Sequence, residues 1–263
     1  MVLGLFLLAL SFPDPKFFKL HPAFPSEYSL TIYVDARHLD YSDGELFLRS
    51  LAKHPSDWSK NGDVGHAWIS LKGPGRSVTG GQTGEREGPT YTQGVLQGLI
   101  TNNPIAYLQT SRKDGAFEKG SGGHTPTFAA QFNLTKAQFE SALKTVKTYP
   151  FHSYSLTKAQ CTSFATLVAK SAGIELEDTM IITFPKRLNF GKKSYLLWTD
   201  STYSRLALPT PDRLEQSLQE KVLKGEAQYA LGQHQQEPIT SWVLQLFESV
   251  QRAPFRLWRW FNL

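Results

Sequence analysis

The chain contains a single cysteine among its 263 residues, and this limits how it can fold. One cysteine excludes an intramolecular disulfide framework and any metal site built from several thiolates. A hydrophobic core must therefore hold the fold together. With 40% hydrophobic and 19% charged residues, a chain of this length can bury such a core. The sequence predicts one large domain, or a medium domain with appendages.

The charge balance is mildly basic, with a formal net charge of +5 and a pI of about 9.2. This excess suits an anionic partner, and we expect an anionic membrane surface to be such a partner. The middle of the chain has no basic run with interleaved aromatic residues and no nucleic-acid-binding motif. We therefore expect no nucleic acid partner.

Both ends of the chain have features that favour membranes or export. Residues 2–12 are apolar but too few to span a bilayer, and the positive start of a signal peptide is absent. Three interpretations compete: a signal peptide behind a misplaced start codon, which we favour, a shallow membrane anchor, or a buried helix. The last ten residues mix arginine with tryptophan and phenylalanine, which suits either a membrane interface or docking onto the domain itself. We expect an exported or membrane-associated protein.

The patterns between these ends predict three regions. Residues 1–27 form an apolar leader and a proline-rich linker, residues 28–190 a catalytic domain, and residues 191–263 a mostly helical C-terminal extension with a basic aromatic tail. Alternating and β-branched runs predict strands at 28–36, 65–73, 77–84, 105–110 and 125–134. Start signals and apolar spacing predict helices at 42–54, after Thr135, from Thr157 to Gly173 and over 211–231. Residues 174–212 read as irregular, with a possible strand at 195–199.

The cysteine, Cys161, falls near the start of the predicted helix that opens at Thr157 and stops at Gly173. A helix N-terminus stabilises a thiolate through its unpaired N–H groups and its dipole. Cys161 is therefore a candidate nucleophile. The competing interpretation is an inert, buried small hydrophobic residue.

A candidate base, His66, stands at the start of the apolar strand "GHAWISL". With the following turn centred near 74–75, antiparallel pairing sets residue 66 opposite about residue 83, so Gln82 or Thr83 lies beside His66. The amide oxygen of Gln82 could accept the second ring N–H and fix the imidazole tautomer. His124 could replace Gln82 if the register differs, whereas a surface role is the better interpretation for His152.

Other chemistries lack their motifs. The chain has no HExxH or paired His/Asp spacing for a metal, no phosphate-binding loop, and no GxSxG elbow of an α/β-hydrolase. We therefore expect no metal and no cofactor.

A histidine at a strand start, a polar residue at the end of the next strand and a cysteine at a helix start resemble the papain-like NlpC-type superfamily. There the usual order is cysteine, histidine, polar residue, but here His66 and Gln82 precede Cys161. This order resembles the circularly permuted branch, which includes lecithin:retinol acyltransferase-like proteins and bacterial lipid or amide hydrolases. The segment "YSLTKAQCTSFATLVAKSAGI" is similar to the cysteine helix of that branch, with Gln160 where asparagine is frequent. The resemblance covers about residues 28–175.

The resemblance implies an α+β fold with a papain-like core. An antiparallel sheet would pack against the cysteine helix in permuted order, followed by a helical C-terminal extension. It also implies a thioester on Cys161, with an oxyanion held by the Cys161 N–H and by Gln160 or Tyr154. The expected substrate carries an acyl group as an amide or ester, in peptidoglycan, lipid or protein. The alternatives are a non-catalytic membrane-surface binding protein, using the apolar N-terminus and the Trp/Arg-rich C-terminus, and an inactive scaffold.

Overall fold

The computed structural model describes residues 26–52, 64–84, 103–190 and 192–233. Its α-helices are α1 (Gly44–Ala52), α2 (Pro104–Leu108), α3 (Lys136–Thr148), α4 (Cys161–Ser171) and α5 (Pro211–Leu223). Its strands are β1 (Ser29–Asp35), β2 (His66–Gly73), β3 (Arg76–Thr83), β4 (Ala116–Lys119), β5 (Phe128–Asn133), β6 (Thr179–Thr183), β7 (Arg187–Phe190), β8 (Lys193–Leu196), β9 (Arg205–Pro209) and β10 (Gln228–Tyr229). The described part of the chain is therefore α+β, which confirms the expected class.

A six-stranded antiparallel sheet in the order β10-β5-β1-β2-β3-β4 forms the centre of the molecule. Every residue of β1 is buried, because β1 lies inside the sheet between β2 and β5. Its run of β-branched and aromatic residues suits this position. The sheet thus supplies the rigid frame on which the candidate residues stand.

One face of the sheet packs against α3, α4 and α5. Phe164 of α4 is fully buried there, with its ring 4.9 Å from that of Tyr149 and 5.1 Å from that of Phe151. Apolar side chains of β1, β2 and β5 fill the same core. This core fixes the cysteine helix against the sheet.

A second core lies under two small antiparallel pairs, β6–β9 and β7–β8. Ile182, Phe184, Leu188 and Leu206 meet Phe47 of α1 in this cluster. The prediction that residues 174–212 are irregular is therefore wrong for most of the segment. Its strands contain only four or five residues each, so no long alternating run marks them.

Local signals placed several elements correctly. The β2–β3 hairpin pairs Gly73 with Arg76, as the predicted turn requires. Thr135 caps α3 in a capping box with Gln138. Gly173, with φ of 80°, follows the end of α4 as expected for a left-handed cap.

One predicted element and two predicted boundaries are wrong. Residues 105–110 were expected as a strand, but α2 covers Pro104–Leu108, because proline is preorganised for the first helical position. The cysteine helix begins at Cys161, with Gln160 and not Thr157 as its cap. The helix predicted over 211–231 ends at Leu223.

The predicted division at 190/191 falls within the β7–β8 pair. Beyond it, Leu214 and Leu218 of α5 lie in the main core, and β10 pairs with β5. Residues 211–229 therefore complete the central domain and do not form an extension. The predicted leader, apart from residues 26–27, and the basic aromatic tail lie outside the described residues.

Candidate functional site

Cys161 is the first residue of α4 and is 8% exposed. The first N–H groups of a helix have no acceptor within the helix, so this position faces the positive end of the helix dipole. The capping residue Gln160 sits directly against the thiol, since the Cys161 Sγ donates to Gln160 Oε1 at 3.0 Å. The sulfur is therefore held at the helix start by its own cap.

The amide of Gln160 is fixed in orientation from both sides. Its Oε1 accepts the Thr162 N–H at 2.7 Å, and its Nε2 donates to the Pro209 carbonyl at 2.6 Å. A carbonyl oxygen next to sulfur accepts the S–H proton and would repel a thiolate. The arrangement thus describes a resting thiol, which a base must deprotonate.

The start of α4 and the start of β2 approach the same short segment, residues 209–211. Gln160 bonds the Pro209 carbonyl, and a Cβ placed on Gly65 would lie 3.3 Å from Pro211 Cγ. Gly65 has a φ of 93°, and that Cβ would also collide with the Asp35 carbonyl. The residues that precede His66 and Cys161 therefore both lie against residues 209–211.

The two side chains leave this end from different faces of the sheet. Because side chains alternate along a strand, Ala67 and Ile69 point into the core that α4 covers. His66 and Trp68 point to the other face, where Trp68 packs with Tyr33. His66 is the first residue of β2, so its ring stands at the edge of that face.

On that face, His66 belongs to a row of stacked rings. Its ring lies 5.7 Å from that of Trp68 and 4.6 Å from that of His124, with the two imidazoles inclined by 26°. His66 is 6% exposed. The stacking defines the resting orientation of the imidazole on this face.

A buried carboxylate supports the second imidazole. Asp35 Oδ2 lies 2.8 Å from His124 Nδ1, and Asp35 Oδ1 accepts from Arg37 Nη1 at 2.6 Å. Asp35 is 1% exposed and pairs with His66 across β1 and β2. Asp35 and His124 are therefore the polar partners beside His66. The sequence indicated His124 as a replacement for Gln82, but it gave no signal for Asp35.

Gln82 has a different role from the one expected. Gln82 lies two residues beyond Gly80, which pairs with Ile69 of the helix-covered face, and its Oε1 accepts from the Tyr149 hydroxyl at 2.7 Å. Its Nε2 donates to the carbonyls of Ser153, at 2.6 Å, and Phe151, at 3.3 Å. Gln82 therefore anchors the loop before α4, and the hydrogen bond to His66 that the sequence predicted is not among its contacts.

Tyr149 is a site residue that the sequence did not reveal. Burial, together with the negative charge of a Cys161 thiolate, raises its pKa to about 12. The Tyr149 hydroxyl is thus close enough to the thiol to sense its charge. No short motif marks a tyrosine in this position, which depends on how the loop at 149–153 folds back onto β3.

The raised pKa of Tyr149 predicts a change in alkaline stability. A phenol with a raised pKa in the fold stabilises the protein below pH about 10, and this contribution is lost as the pH rises towards about 12. We expect the free energy of unfolding of Tyr149→Phe to fall less steeply over this range, by at most about 2 kcal/mol. Urea unfolding at several alkaline pH values measures the difference. Identical slopes for both proteins would contradict the assignment.

Tyr154, the other predicted oxyanion residue, lies against glycines. A Cβ on Gly84 would fall 2.5 Å from its ring, and its backbone pairs with Arg112. This contact places the tyrosine at the end of β3, and its predicted role as an oxyanion donor stays a prediction.

Within the described ranges, no group of three or more histidine, cysteine or acidic residues could hold a metal ion. The helices in those same ranges are also too short or too polar to cross a bilayer.

Comparison with known proteins gives no family assignment: no protein-family model matches the chain, and neither the curated proteins nor the solved structures contain a match.

Proposed function

We propose that this protein is a cysteine-dependent hydrolase or acyltransferase that acts on an amide or ester through a thioester on Cys161. The single observation that carries the proposal is the position of the chain's one thiol. It is the first residue of α4, and the residues that precede Cys161 and His66 both lie against residues 209–211. A helix start favours negative charge on sulfur, and a nearby imidazole can take the thiol proton.

The proposed reaction begins with proton transfer from the Cys161 thiol to the His66 ring. The sulfur then bonds to the acyl carbon, and the leaving amine or alkoxide takes the proton back from His66. Water attacks the thioester in the second half, gives a proton to His66, and releases the acid and the thiol. If an alcohol or amine replaces water, the same steps transfer the acyl group.

Residues at the helix start would stabilise the oxyanion. The Cys161 N–H would be one donor, because it lies at the positive end of α4. Gln160 Nε2 would be the other, because only one of its two hydrogens is donated to the Pro209 carbonyl. A donor of this kind contributes about 3–4 kcal/mol to the barrier. The capping bonds of Gln160 keep this amide in place.

His66 reaches the thiol only if its ring turns past the end of β2, since α4 covers the opposite face. As the first residue of the strand, it has no preceding strand residue to block that approach. We infer that His124, held by Asp35, sets the resting position from which the His66 ring makes this turn. Asp35 and His124 are then positioning residues and touch no substrate.

The test uses p-nitrophenyl acetate as an acyl donor that needs no knowledge of the natural substrate. We expect release of p-nitrophenolate and an acetyl adduct that peptide mapping places on Cys161. Hydroxylamine should remove this adduct, since it cleaves a thioester but leaves acetyl-lysine intact. Cys161→Ala is the matched control and should show no hydroxylamine-sensitive adduct at this position. Acetylation confined to lysines in the unmodified protein would disprove the proposal.

A further inference from the structure

A group of exposed cations lies on the paired strands outside the central sheet. The segment from 179 to 199 contains no aspartate or glutamate. It carries Lys186, Arg187, Lys192 and Lys193, all exposed. Arg205, also exposed, joins them because it pairs with Thr183 across β6 and β9. We call these five residues the basic face.

The charge of the basic face is not neutralised within the described residues. None of its five cations forms an ion pair there, whereas basic residues elsewhere pair with carboxylates, as Arg213 does with Glu177 and Lys221 with Glu226. The nearest acidic residue along the chain after the segment, Asp200, uses its carboxylate to cap the turn at Thr202. The face therefore presents a local positive potential to an outside partner.

Aromatic and aliphatic groups accompany the cations. Lys186 Nζ lies 5.8 Å from the centre of the Trp198 ring, and Trp198 Nε1 donates to the Phe184 carbonyl at 3.0 Å, which fixes the indole. On the β6–β9 pair, Ile181 is 58% exposed, and its pair with Ala207 is two residues along the ladder from the pair of Thr183 and Arg205. Cations beside an indole and an exposed aliphatic side chain match the boundary between lipid headgroups and acyl chains.

We propose that the basic face docks on a membrane surface that contains anionic phospholipid. The cations would bind the lipid phosphates, with an attraction that salt weakens. The Ile181 side chain would be buried at the boundary between the headgroups and the acyl chains. A purely polar polyanion offers no such apolar region. This combination favours a lipid surface over a nucleic acid or an acidic polysaccharide.

The experiment measures binding of the full chain to vesicles by sedimentation. We expect binding to vesicles of phosphatidylcholine with phosphatidylglycerol, weaker binding at high salt, and little binding to phosphatidylcholine alone. The double variant Lys192→Glu/Lys193→Glu should bind the mixed vesicles at least about tenfold more weakly. Ile181→Ser should weaken binding severalfold without any change in net charge.

The matched control is Lys144→Glu/Lys147→Glu, two exposed lysines on α3 that change the net charge equally. This control should bind within about twofold of the original protein, because α3 lies on the main core and not on the paired strands. An equal loss in both double variants would show a general charge attraction and would overturn the proposal. Binding to heparin or duplex DNA without binding to the vesicles would overturn it as well.

Discussion

Replacement of His66 by glutamine is expected to slow acylation of Cys161 by p-nitrophenyl acetate about 10²–10⁴-fold, the usual contribution of a general base. The physical reason is the state of the thiol. Gln160 Oε1 accepts a hydrogen bond from the Cys161 thiol, so a base must remove the thiol proton before the sulfur can attack the acyl carbon. The rate of p-nitrophenolate release, measured near neutral pH under single-turnover conditions, gives the effect directly.

His152→Gln is the matched control for this variant. His152 is exposed and lies nine residues before Cys161, so its loss should leave the acylation rate within about twofold. Circular dichroism and the unfolding midpoint of each variant separate a catalytic effect from a folding defect. If His66→Gln acylates as fast as the control while remaining folded, His66 is not the base.

The variant His124→Gln tests the positioning role separately. We expect a smaller loss in rate than for His66→Gln, because His124 stacks on the base and does not receive the proton. Its pH–rate profile should shift along the pH axis, since the stacked ring and Asp35 set the electrostatics around His66. A purely structural role would lower stability without moving the profile.

Features that depend on a few neighbouring residues could be predicted from the sequence. The register of the β2–β3 hairpin follows from its two-residue turn, and Thr83 falls opposite His66 by extension of the observed pairs. The cap of α3 follows from Thr135 and Gln138, which lie three residues apart. In each case, the physical cause lies within one short segment.

Features that depend on contacts between distant segments could not be predicted. Asp35 stands beside His66 because β1 and β2 pair, and His124 joins them from a loop almost sixty residues further on. Gln82 looked free to orient His66, yet alternation turns it to the other face, where Tyr149 donates to it. The candidate cysteine and histidine were visible in the sequence, but their partners required the fold.

Replacement of Asp212 by alanine is expected to lower the free energy of unfolding by about 3–5 kcal/mol, because several buried donors lose the carboxylate that accepts from them. Asp212 is 4% exposed at the start of α5. Its Oδ1 accepts the N–H groups of Arg37 and His38 at 2.7 and 2.9 Å. Its Oδ2 accepts the Leu39 N–H at 2.9 Å and the Tyr41 hydroxyl at 2.8 Å.

Without this carboxylate, three consecutive N–H groups and a phenol lose their acceptor. His38 has a φ of 53°, a conformation that non-glycine residues rarely adopt, so the loop depends on these bonds for its shape. The pKa of Tyr41 is raised mainly by burial and also by the Asp212 charge, and the latter contribution should disappear in the variant. Urea unfolding measures the loss in stability, and alkaline titration of tyrosine absorbance measures the change at Tyr41.

Two control variants show whether the carboxylate itself is responsible. Asp212→Asn keeps one oxygen acceptor and turns an NH2 group towards donors. Its loss in free energy of unfolding should therefore be smaller than that of Asp212→Ala but not zero. Asp200→Ala removes an exposed cap that accepts one N–H, and it should lower the free energy of unfolding by about 0.5–2 kcal/mol. If Asp212→Ala lowers the free energy of unfolding no more than Asp200→Ala does, the loop is held by its packing and not by this carboxylate.

The loop that Asp212 holds continues from Asp35. We therefore also expect Asp212→Ala to slow acylation of Cys161 by loosening the support of His124.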